Sequence, residues 1–382
     1  MKPPLPHGQL KILAANIVRL SKLLTRERDS LPAAYLKDKG LREAYEAYFL
    51  PLNLRKILVP LAELDLRCEN LFGNDMFRVL DLGCGPGTAM LGVMEFFAAG
   101  KKRSHLAVTA VDHVAENLKM AEEFFTASKR MRNIDASLKT IRSGIEQMRC
   151  LPEMTFNLII FSNVLNELFI HDEARIVKRT NLVAEYLNRC LADDGSCIII
   201  EPALRETSRE LIEVREGLLK RGFHIYAPCL CHAECIALAN PRDWCHEDLA
   251  WEPSDTIREL DELTGLRKDS LKFSYLIMRK DVQSLAGLYG INAFRVVSEP
   301  LVSKGKREFY ICGEAGRRLI TRLNKDLAAR NKNFGSLQRG DVVSFEHLIE
   351  EGKRYKVGKG TGVKRLRTTA GCFTQIDRRD AK

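Results

Sequence analysis

Three glycines in five positions, Gly83, Gly85 and Gly87, follow a short apolar run and the acid Asp81, and residues 90–97 then resume a helical pattern. Strand, glycine turn and helix together suit a nucleoside held close to the backbone. Glycine takes positive φ and leaves room for a ligand, and the helix presents unpaired N–H groups in its first turn. A second apolar run, residues 108–111, ends in Asp112, an acid placed to accept both hydroxyls of a ribose. A third, residues 156–161, ends in Ser162 and Asn163. Ligands of open parallel sheets lie beyond the carboxyl ends of the strands, so Ser162 and Asn163 would border the reacting group as catalytic candidates. Each residue also has an ordinary use, as a strand-end cap or a turn former, and Asn166 shares that alternative. Three strand ends bearing such residues in order favour the ligand.

The spacing G-x-G-x-G departs from the G-x-G-x-x-G of dinucleotide folds. With a strand-end acid before it, it resembles the first motif of class I S-adenosylmethionine-dependent methyltransferases, whose donor carries an adenosine and a charged amino acid but no phosphate. That resemblance assigns Gly83, Gly85 and Gly87 to shaping the donor loop, Asp112 to the ribose, Asp81 to the amino-acid end, and Asn163 to the border of the methyl group.

A second chemistry is written in the cysteines. Of eleven, Cys229, Cys231, Cys235 and Cys245 fall within 17 positions, between loop-forming Pro228 and the segment after Pro241. Core thiols would follow helical or strand periodicity, and these do not, so a metal site leads. Four thiolates suit tetrahedral zinc or an iron–sulfur cluster. The spacing is looser than a C-x2–4-C knuckle, and zinc with His232 or His246 stays open. Cys312, ending a later strand, is a further ligand candidate, against a role as a small buried hydrophobe.

The elements that must position these residues alternate strand and helix from 77 to 201, with strands near 77–82, 106–112, 156–162 and 196–201 and a helix from Arg205 to Arg221. Such alternation predicts an α/β fold with a parallel sheet covered on both faces. Residues 1–72 read as helices with breaks at Leu31-Pro32 and Leu50-Pro51. Short strands are expected at 223–226 and 273–278, and the hairpin formed by 294–298 and 308–312 is expected to close the same sheet. The domain plan is therefore a helical region 1–72, a methyltransferase-like domain 73–328 with a Cys-rich insert 227–270, and a basic tail or small β module 329–382.

Composition bounds the partners. The chain of 382 residues is 45% hydrophobic and 29% charged, as in globular proteins, and no apolar run nears the ~20 residues that span a bilayer. Residues 331–382 carry 12 Lys and Arg against 6 Asp and Glu, +6 of the net +10, which suggests RNA. Cysteines without a secretory signal imply a reducing compartment. The basic start, free of acid before Glu27, reads as a first helix, with a cytoplasmic location expected and the mitochondrial matrix as its alternative.

Taken together, DLGCGPGTA, SNVLNEL, EPALRETSRELIEVREGLL, the APC-x5-C-x9-C insert with DWCH, KFSYLIMRK and EFYICGEAG resemble the methyltransferase-like family of the mitochondrial small ribosomal subunit and its bacterial relatives, over roughly residues 30 to 325. The resemblance implies S-adenosylmethionine as donor, a structural [4Fe-4S] cluster on Cys229, Cys235, Cys245 and Cys312 with Cys231 left out, and action on small-subunit rRNA as a monomer. Two functions follow from it: rRNA methylation, or subunit assembly with the fold serving as an RNA-binding scaffold. The chain has no N-P-P-Y motif for base amino groups, and Cys84 is committed to the glycine loop.

Overall fold

The computed structural model describes residues 7–27, 32, 34–65, 75–100, 104–147 and 153–368. The chain opens with helices α1 (His7–Thr25), α2 (Lys39–Ala44) and α3 (Leu50–Leu64). Asp38 caps α2, accepting the N–H groups of Gly40 and Leu41. The break expected at Leu50-Pro51 is instead a single π turn, Tyr45–Phe49, within a continuous helical run. Pro51 stands in the first turn of α3, where a missing N–H costs little. Leu31 of the other expected break lies outside the described residues.

A first sheet follows, built from β1 (Met76–Leu82), β2 (His105–Asp112), β3 (Ala136–Arg142), β4 (Phe156–Ser162), β5 (Leu191–Pro202), β6 (His224–Ala227), β7 (Glu247–Ala250) and β8 (Ser270–Arg279). The order is β3-β2-β1-β4-β5-β8-β6, with β7 on the side of β8. The first five strands in that order are parallel, and β8 runs antiparallel between β5 and β6. This is the strand order of the class I methyltransferases, so the α/β, Rossmann-like expectation holds. Helices α4 (Thr88–Gly100), α5 (Ala115–Arg132), α6 (Arg175–Cys190), α7 (Arg205–Leu219) and α8 (Asp255–Thr264) complete the layers. Strands β4 and β5 read as unbroken apolar runs because both faces are covered: Ile160 and Ile198 pack towards α3 and α4, Ile159 and Ile199 towards α6 and α7. Each such side chain contributes about 1.5–3 kcal/mol on burial.

After a short α9 (Leu285–Tyr289) comes a second sheet of eight strands: β9 (Ala293–Val296), β10 (Leu301–Ser303), β11 (Lys306–Gly313), β12 (Gly316–Leu323), β13 (Val342–Glu346), β14 (Ile349–Glu351), β15 (Arg354–Lys356) and β16 (Gly362–Arg367). The hairpin expected to close the first sheet, β9 with β11, belongs here instead. Its Phe309 and Ile311 pack in a separate core with Phe334, Leu337 and Val343, which come from beyond residue 328. Residues 369–382 of the basic tail lie outside the described residues. Among the described residues no helix is long and apolar enough to cross a membrane.

The two sheets are joined through a buried polar core. Glu63 of α3 pairs with Arg295 of β9 and with Arg367 of β16 at 2.9 Å, and accepts the Tyr275 hydroxyl of β8 at 2.6 Å. Arg295 also reaches Glu247 of β7 at 3.3 Å. Burial alone would raise the Glu63 carboxyl, and the charges of Arg295 and Arg367 outweigh it and hold it low. Replacing Arg295 by Ala leaves Glu247 without its cation and Glu63 with Arg367 alone, so urea unfolding of R295A is expected to show a loss of about 3–5 kcal/mol. Hydrogen exchange should then rise first in β9 and β16.

Candidate functional site

The carboxyl ends of β1, β2 and β4 meet at the glycine turn. Gly83, Gly85 and Gly87 all have positive φ, at 64°, 53° and 83°. At Gly83 an added Cβ would fall 2.3 Å from Val164 Cγ2, whereas at Gly85 it would meet nothing within 4 Å. The turn is thus tight against the β4 loop on one side and open on the other, where a ligand would approach.

Asp112 organises that turn: its Oδ2 accepts the Gly85 N–H at 2.9 Å, and its Oδ1 accepts the Val114 N–H at 2.8 Å and the Asn117 amide at 3.3 Å. Asp81 is fully buried at the end of β1. Its Oδ2 accepts the Met90 N–H at 3.2 Å, and its Oδ1 is buried without a partner. Burial, with help from the charge on Asp112, pushes its carboxyl up to about 7. A buried acceptor with nothing to accept is costly, and the ammonium of an amino-acid ligand would satisfy it. The residues present therefore fit S-adenosylmethionine.

Ser162 and Asn163 follow at the end of β4, and the Asn163 amide donates to the Ser162 hydroxyl at 3.3 Å. Asn163 has φ 56° and its N–H donates to the Ile200 carbonyl at 2.8 Å, so the chain turns sharply there. Asn is the residue type that tolerates this region best after glycine.

Four residues of this site escaped the sequence analysis as site residues. Tyr45 shares a 2.8 Å hydrogen bond with Thr88 at the start of α4. Burial, then the charges of Tyr45, Glu167 and Asp112, pushes the Tyr35 phenol up. Lys37 pairs with Glu116 of α5 at 3.0 Å, which ties the segment before α2 to the helix that follows β2. Glu201 at the end of β5 is raised by burial to about 7 and holds the loop after β4. Only the Glu201-Pro202 strand end gave a sequence signal.

The cysteines lie elsewhere. Cys229 and Cys235 stand in the loop after β6, Cys245 just before β7, and Cys312 on β11 of the second sheet. All four are free thiols and border one cavity of about 80 Å³, together with Cys231 and Arg215. Burial raises Cys235, pushes Cys245 up to about 12 and raises Cys312 strongly, with the neighbouring cysteines adding to each. Cys231 is buried and directs its thiol at the Ala233 carbonyl, 3.9 Å away. Two arginines of α7 hold the loop by its carbonyls. Arg215 donates to Cys231 and Ala233 at 2.7 and 3.1 Å, and Arg209 to Ala237, Asn240, Asp243 and Leu238 at 2.8–3.3 Å. Among the described residues no group of three or more His, Cys, Asp or Glu side chains is arranged to hold a metal ion. The expected metal-binding character of the insert is thus not shown: the thiols border one cavity but are not arranged around an ion. His232 and His246 are both lowered, first by burial.

No curated protein matches the chain. Solved structures similar to it include an rRNA methylase from Streptococcus thermophilus, at 13% identity over 56% of this chain and 93% of that one with a TM-score of 0.28. A SAM-dependent methyltransferase from Methanosarcina mazei has 13% identity over 57% and 98%, with a TM-score of 0.33. A SAM-dependent methyltransferase from Archaeoglobus fulgidus has 16% identity over 58% and 94%, with a TM-score of 0.29. Residues 41–359 match the family model of the mitochondrial small ribosomal subunit protein Rsm22, and the chain belongs to that family.

Proposed function

We propose that the chain binds S-adenosylmethionine at the glycine turn and acts on the small ribosomal subunit as an rRNA methyltransferase. The observation that carries this is Asp81, whose buried, unpartnered oxygen lies at the end of β1 beside an open Gly85 and an Asp112 that bonds the same turn. Asp112 would take the ribose and Asp81 the donor ammonium. The donor supplies an electrophilic methyl group, and Ser162 and Asn163 would orient an rRNA acceptor against it, which needs positioning more than acid–base chemistry. Family membership supports the small subunit as partner and the mitochondrial matrix, rather than the cytoplasm, as compartment.

A second reading, an assembly factor that binds RNA without transferring methyl groups, is favoured by one feature. The polar groups of Ser162 and Asn163 are spent partly on each other, and neither is a strong base. Incubating the protein with labelled donor and immature small subunits separates the two. Label in rRNA that is lost in Asp112→Ala supports the enzyme, and subunit binding without label supports the scaffold.

The thiol cavity supports a structural [4Fe-4S] cluster on Cys229, Cys235, Cys245 and Cys312. Four thiols from separate elements border that one cavity, and their spacing in the chain is looser than the paired knuckles of structural zinc. Once bound, iron would keep the thiols deprotonated against their burial. Iron and sulfide assays on anaerobically purified protein are expected to show both, with Cys312→Ser losing them; zinc alone would defeat the cluster.

Donor affinity should depend on pH through Asp81. Its free carboxyl, near 7, is protonated below that pH and then offers the donor ammonium no charge. Calorimetry is expected to show affinity falling by up to about tenfold per unit below pH 7, and Asp81→Asn should flatten that profile.

A further inference from the structure

The loop that follows β4 is gripped by a buried carboxyl from one side and a buried guanidinium from the other. From β5, Glu201 Oε1 accepts the Leu165 N–H at 3.1 Å, and its other oxygen accepts the Asn166 side-chain amide. From α6, Arg179 Nε donates to the Leu168 carbonyl at 2.9 Å and its Nη2 to the Asn166 carbonyl at 3.2 Å. Arg179 Nη1 in turn donates to Glu210 Oε2 of α7 at 2.6 Å, which anchors the guanidinium. Glu201 is 2% exposed and Arg179 3% exposed, and the hydrogen bonds of both run into the β4 loop. Donors of the loop are held from one side and its acceptors from the other.

The consequence reaches the glycine turn through Val164. That residue lies between Asn163, with φ 56°, and the clamped Leu165, and its Cγ2 occupies the space a Cβ on Gly83 would need. Val164 can keep that contact only while the loop keeps its place. A buried carboxylate is expensive, and here it is used on a backbone N–H and an amide of one loop.

We propose that Glu201 and Arg179 are positioning residues that set the affinity for the donor nucleoside without touching it, by fixing the β4 loop against the glycine turn. This rests on the donor assignment made above. The donor site would then be closed on one side by packing rather than by the ligand, and its preorganisation would come from β5 and α6.

The test uses the full chain and S-adenosylmethionine in calorimetry, with hydrogen exchange over residues 163–168. Glu201→Ala leaves the Leu165 N–H and the Asn166 amide unpaired, and donor affinity is expected to fall at least about tenfold with faster exchange in the loop. Glu201→Gln should rescue both. Its oxygen can take the Leu165 N–H, and its amide can donate to Asn166 Oδ1, which is buried and unpartnered in the wild type. Should the Ala variant fail to fold, Asn166→Ala removes one of the two bonds and should move affinity and exchange in the same direction by less. A folded Glu201→Ala with unchanged affinity and exchange, or a Gln variant as impaired as Ala, overturns the proposal. A wild type that binds no donor overturns the donor assignment instead, and the clamp is then decided by exchange alone.

Discussion

The architecture hangs on a small set of charges buried where the two sheets meet. Glu63, Glu247, Arg295 and Arg367 come from four separate elements, and Tyr275 adds a hydroxyl from a fifth. Taking such groups out of water costs several kcal/mol per ion unless each finds its partner, so the set constrains geometry more than it adds stability. With two acids and two guanidinium groups, the charge closes to zero only when α3, β7, β9 and β16 sit together. Apolar packing alone would tolerate a slide of one sheet over another. This network does not.

That constraint explains how four cysteines separated by up to 83 positions come to border one cavity. Cys245 precedes Glu247 by two residues, and Cys312 stands opposite Arg295 in the ladder between β11 and β9. The Glu247–Arg295 ion pair therefore ties β7, which Cys245 precedes, to β9, the ladder partner of the strand that bears Cys312. Cys229 and Cys235 arrive by a different route, in a loop whose carbonyls are held by Arg209 and Arg215 of α7. Both routes are made of charged groups within the chain.

The first sheet was largely legible in the sequence because its central strands are covered on both faces and read as continuous apolar runs ending in Asp81, Asp112 and Ser162. Edge strand β3 was missed, since its half-exposed residues include Lys139 and Thr140 and leave no apolar run. Strand β7 was missed for another reason: its four residues bury a single large apolar side chain, Leu249, beside the ion-paired Glu247, too short a pattern to read as a strand. Strands β9 and β11 were visible as strands but given to the wrong sheet. Strand propensity is local, whereas the core they bury into, with Phe334, Leu337 and Val343, lies tens of residues further on.

By itself the sequence determined the glycine turn, the acids at the strand tips and the clustering of Cys229, Cys235 and Cys245, because each is a short-range pattern whose chemistry follows from residue type and spacing. Only the tertiary structure decided that Asp81 keeps an unpartnered oxygen, that Tyr45 bonds Thr88 at the start of α4, and that Cys312 borders the same cavity as the other thiols. Those facts depend on which distant elements exclude water from a given atom, and burial of that kind is set by the packing of the whole chain, not by any stretch of it.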